Sequence, residues 1–212
     1  MLNRRVSALR FLLLLVVVTA LVGSAGTRVQ AAQVVVSNAV VVDEASSGAI
    51  DIGQSFTATK TGRLTKIEVA VEGGSTSGTA TLQVYAGAGT GGTLLYTKSG
   101  ISFAGIDTVT LGAIPSFHAI TIDTTVPITS GSVYTFVFTP ATAVNLAYQS
   151  LVAQYGGGAL FSEALGGLDP GADMAFRVTQ SDLPPGPPTG AAATAGDSRA
   201  PVAFPAPAPA AG

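Results

Sequence analysis

Val133-Tyr134-Thr135-Phe136-Val137-Phe138-Thr139 is the stretch on which the fold turns. Its aromatics recur at every second position, and an extended backbone puts all three on one face. Other runs repeat the pattern. Leu82 and Val84 alternate with Thr81, Gln83 and Tyr85, and Ile120 and Ile122 with Thr121 and Asp123. Met174, Phe176 and Val178 alternate with Ala175, Arg177 and Thr179; Ile67, Val69 and Val71 alternate with Lys66, Glu68 and Ala70, which should point outward. Period-2 runs rich in β-branched and aromatic residues predict strands with one face in a core and one in water. Turn clusters punctuate them: Gly73-Gly74-Ser75, Gly87-Ala88-Gly89, Ser130-Gly131-Ser132 and Gly156-Gly157-Gly158. No window sustains a helical stripe; Leu160 to Leu168 is short and glycine-terminated. Roughly eight to ten strands without helical crossovers predict an all-β fold, an antiparallel two-sheet sandwich of jelly-roll type.

Composition divides the chain into three parts. Residues 1–31 carry Arg4, Arg5 and Arg10, then an apolar run from Phe11 to Val22, then small residues. That is the layout of a secretory signal peptide, cleaved after Ala31 or near Gly23-Ser24-Ala25. The rival is an uncleaved anchor, but a spanning helix needs roughly 20 apolar residues. The expected domain occupies 33–182. Residues 183–212 contain eight Pro, ten Ala and four Gly, a composition that predicts a disordered tail.

The same arithmetic excludes function classes. With Cys 0 and His 1 there is no disulfide, no thiolate nucleophile and no multi-His zinc site. Net charge is −2, and losing Arg4, Arg5, Arg10 and Arg28 leaves six basic against 12 acidic residues, or −6. Neither nucleic acid nor an anionic membrane is an expected partner.

Five segments together carry a resemblance: Gly53-Gln54-Ser55-Phe56-Thr57; Gly62-Arg63-Leu64-Thr65-Lys66-Ile67; Thr81 to Tyr85 leading to Gly91-Gly92-Thr93-Leu94-Leu95; Val126 to Tyr134; and Asp173 to Val178. In this order they resemble bacterial secreted β-sandwich modules, found as surface or carbohydrate-binding-like domains beside assorted C-terminal anchors. The resemblance spans roughly residues 50–180 and implies a non-catalytic extracellular module. The resemblance leads one to expect a C-terminal anchor, whereas Leu183-Pro184-Pro185-Gly186 is followed by no apolar stretch or basic tail within 183–212, and the Trp common in sugar-stacking platforms is absent.

Few side chains suggest chemistry. His118 could act as a general base, but no serine sits in a Gly-x-Ser-x-Gly elbow, and it is expected near the surface. Asp43-Glu44 should point apart, short of the convergent carboxylates of a glycosidase. Asp169 and Asp173 flank Pro170-Gly171-Ala172 and could offer oxygen ligands to calcium, or simply form a turn. Tyr85 and Tyr155 are the candidate ligand-binding residues, since a tyrosine ring stacks on a sugar while its hydroxyl bonds. The alternative for each is to cap the core edge. The apolar run 34–42 is a first strand or a strand donated to a second subunit.

The expectation is therefore an exported, non-enzymatic sandwich that binds carbohydrate or another cell-surface polymer. The alternatives are a structural or adhesive surface subunit and, last, a hydrolase.

Overall fold

A computed structural model describes residues 33–39, 41–46, 49–73, 78–142, 144–150, 155–182, 192–193 and 202–203. The leader, 1–31, lies outside the described residues, as does most of the tail.

The strands in chain order are β1 (Gln33–Asn38), β2 (Glu44–Ala45), β3 (Ile52–Thr57), β4 (Gly62–Val69), β5 (Thr79–Ala86), β6 (Leu94–Ser102), β7 (His118–Ile128) and β8 (Val133–Pro140). They continue with β9 (Ala147–Gln149), β10 (Leu160–Ser162), β11 (Gly167–Asp169), β12 (Asp173–Met174) and β13 (Phe176–Ser181). Two tail pairs, β14 (Ala192–Ala193) and β15 (Val202–Ala203), bond to each other.

Two antiparallel sheets make the body. Sheet one runs β1-β13-β4-β7, and sheet two runs β11-β10-β3-β8-β5-β6. The long strands pair as if one hairpin had been wrapped on itself. The first joins the last (β1 with β13), and then come β3 with β8, β4 with β7 and β5 with β6, alternating between sheets. That nested pairing is the jelly-roll arrangement. A third, small sheet β12-β9-β2 closes one end.

The facing sheets bury the expected side chains. Leu64, Ile67, Val69, Ile120, Ile122, Phe176 and Val178 come from sheet one, and Ile52, Phe56, Leu82, Val84, Phe136 and Phe138 from sheet two. Phe136 meets Phe176 across the gap at 5.8 Å and Phe138 edge-on at 6.1 Å. Each such ring contributes about 1.5–3 kcal/mol through burial.

The outer faces depart from simple alternation. Ala70, expected outward, is wholly buried in a second cluster with Val42, Val109, Ala147 and Ala175, because β9 and the 104–117 loop pack over that end of sheet one. On β8, Thr135 and Val137 are buried beside the inward rings. The 87–89 turn folds back there: the Gly89 N–H donates to Thr135 Oγ1 at 2.8 Å, and that hydroxyl donates to the Gly87 carbonyl. The segment 160–168 forms β10, a single 3₁₀ turn over Glu163–Leu165, and the start of β11.

Candidate functional site

β5 and β6 carry an outward strip of half-exposed and exposed side chains. With Leu82 and Val84 inward, Thr81, Gln83 and Tyr85 stand half-exposed on the outer face of sheet two. The register sets Gln83 beside Thr97 and Tyr85 beside Leu94, and the Thr81 hydroxyl reaches Ser99 at 3.4 Å. Thr97, Ser99 and Leu94 are exposed. The strip thus offers a tyrosine ring, an amide, several hydroxyls and an exposed leucine, and no charged group. Lys98 turns away from it toward β7, where it bonds the Thr121 carbonyl and pairs with Asp123 at 3.1 Å. The Tyr96 hydroxyl donates to the same carboxylate at 2.8 Å. The Tyr96 hydroxyl and then Lys98 hold the Asp123 carboxyl below its usual pKa; burial first, then that bond, pushes Tyr96 up. These contacts stitch β6 to β7 and close one side of the sandwich.

Tyr155, the second aromatic candidate, is differently placed. Its ring packs edge-on against Phe176 at 5.2 Å, and its hydroxyl accepts from the Thr57 N–H at 3.1 Å. Burial raises its pKa, opposed by that N–H and assisted by Asp173. Asp173 is fully buried. Its Oδ1 accepts from Gln54 Nε2 at 2.8 Å and its Oδ2 from the Tyr155 N–H at 2.9 Å, while Gln54 Oε1 accepts from the Met174 N–H. One carboxylate therefore ties β3, β12 and the start of the 155–159 loop together. Asp169 instead accepts from the Gly171 N–H at 2.8 Å, the bond of an Asx turn. Among the described residues no three His, Asp or Glu side chains gather where they could hold a metal.

Sequence reasoning missed Gln54. It stands at an inward position between Ile52 and Phe56, so a polar residue on a core face was the available signal. Gln83, Thr97 and Ser99 were unmarked because outward polar residues are the default on a sheet.

His118 is half-buried near the surface, its ring 5.2 Å from that of Phe103. Burial lowers its pKa below the ordinary imidazole value. It lines an open depression of about 290 Å³ with Asp107 and Phe117. The other face of the picture is Arg177, whose guanidinium lies 4.1 Å from the centre of the Phe117 ring. Asp43 and Glu44 do not converge on His118: Asp43 accepts from the Ser150 N–H, and Glu44 pairs in register with Tyr148.

Among the described residues no helix is long and apolar enough to cross a membrane. No family model, curated protein or solved structure matches the chain.

Proposed function

We propose that the chain is an exported, non-catalytic module that binds carbohydrate on the outer face of β5 and β6. The observation that carries this reading is the uncharged outward strip of Tyr85, Gln83, Thr81, Thr97 and Ser99 on a rigid sheet. A tyrosine face stacks on the apolar face of a sugar ring, while hydroxyls and an amide at strand spacing satisfy its hydroxyls. Built on strands rather than loops, the strip keeps its geometry without ordering cost at binding. Tyr85 is the stacking residue in this reading, and Tyr155 supports the domain from within.

The test is a glycan array probed with the protein with and without calcium, followed by titration of any hit. Tyr85→Ala should weaken binding at least about tenfold, the effect of losing one well-stacked aromatic. Tyr155→Phe should leave the affinity within about twofold. A blank array, or a Tyr85→Ala variant that binds as the parent does, rejects the proposal.

A further inference from the structure

Strand edges are the other surface through which a sandwich can act, and the edge strands β6 and β7 are blunted by charged side chains and a proline rather than paired. β7 is stitched to β6 through Lys98, Thr121, Asp123 and Tyr96, and it carries Pro127 besides. β11 has three residues and β2 two. β1 is different. It is six residues long, Gln33-Val34-Val35-Val36-Ser37-Asn38, with no proline and no charge. It pairs along its whole length with β13 on one side and with no described strand on the other. Natural edges of that length are normally blunted by lysine, proline, a bulge or a covering element, since open N–H and C=O groups recruit another strand. The described tail strands bond to each other and not to β1.

We infer that the β1 edge is a self-association surface whose occupant is β1 of a second copy. Antiparallel pairing about a two-fold axis lets one edge satisfy both copies, with each residue contacting its partner reciprocally. The two four-stranded sheets become one eight-stranded sheet, β7-β4-β13-β1 continuing into its symmetry mate. A two-fold joint uses the β1 edge of each copy once, so the product is closed at two rather than a fibre. A neutral edge meeting itself brings no like-charge repulsion. The joint is small, so association belongs to the weak, concentration-dependent class. The inference is independent of glycan binding, although a dimer would present two copies of any binding strip.

The full chain has no cysteine, so a single introduced thiol can be labelled uniquely. Ser37 is exposed on β1 and Ser99 on the outer face of sheet two. Sedimentation should show the mass doubling between about 1 µM and about 100 µM protein, the range expected of a small interface. Spin labels at Ser37→Cys should then lie within about 25 Å of each other, since paired strands are about 4.8 Å apart and the register offset is a few residues. Labels at Ser99→Cys should give no such short distance. Ser37→Lys should weaken dimerisation at least about tenfold while leaving the thermal midpoint within about 2 °C. A mass that stays monomeric throughout overturns the inference. So does a dimer with Ser37 labels far apart, or one indifferent to Ser37→Lys. Neither result bears on the glycan array, whose outcome rests on Tyr85.

Discussion

Asp173→Ala would strip acceptors from the Gln54 amide and the Tyr155 N–H at a site without solvent. Leaving a buried neutral donor unsatisfied costs about 1–3 kcal/mol, and two donors lose their acceptor here. Urea unfolding of the variant should show a loss in that range, and Asp173→Asn, which keeps one acceptor, a smaller one. At His118 the prediction concerns pH. Its folded pKa is lowered, so the unfolded chain binds the proton more readily. The stability this contributes is present above the unfolded value near 6.5 and is lost as pH falls through the folded value. The thermal midpoint of the parent should therefore drop more between pH 8 and pH 5 than that of His118→Phe. Equal drops would mean that the imidazole does not resist charging. These two residues also show what single positions reveal. An aspartate beside Pro-Gly-Ala looked like a loop residue, and only the β3 strand brought against it makes it an interior anchor.

Strand spacing was legible because period-2 alternation is a property of the local chain, and β4, β5, β7, β8 and β13 each lie where their alternating residues placed them. What alternation could not report was a cover on the second face. Thr135 and Ala70 are small or polar and sit at outward positions, yet distant turns and strands bury them. At Gly53 the β3 backbone lies so close to β8 that an added Cβ would stand 1.9 Å from the Phe136 carbonyl oxygen. Backbone cannot yield there as a flexible side chain would. Gly53→Ala should destabilise by about 1–3 kcal/mol, the usual cost of overpacking, seen as a lower urea midpoint with an unchanged slope. A neutral effect would show that β3 can shift against β8 without loss.

At the scale of the molecule, the domain should stand without its tail. Of residues 183–212, 22 are Pro, Ala or Gly, and each proline removes a ladder donor. The Lys60–Asp182 ion pair at 2.8 Å lies before the cut. Truncation after Asp182 should keep the thermal midpoint within about 2 °C, the shift of well under about 1 kcal/mol. A fall of about 8 °C or more would place the tail on the sandwich.

The sequence by itself determined that this is an all-β chain, where β4, β5, β7, β8 and β13 run and which of their rings lie inward, because side-chain direction on a strand depends only on neighbours in the chain. Tertiary structure alone decided the nested pairing of first strand with last, the burial of Asp173 and Gln54, and which tyrosine faces out. Tyr85 and Tyr155 are chemically identical. One stands half-exposed on an outer sheet face, and the other is held by Phe176 and the Thr57 N–H, elements some twenty and a hundred positions away. Contacts across such separations leave no periodic trace in a sequence, since any residue of suitable size can meet them from any distance along the chain.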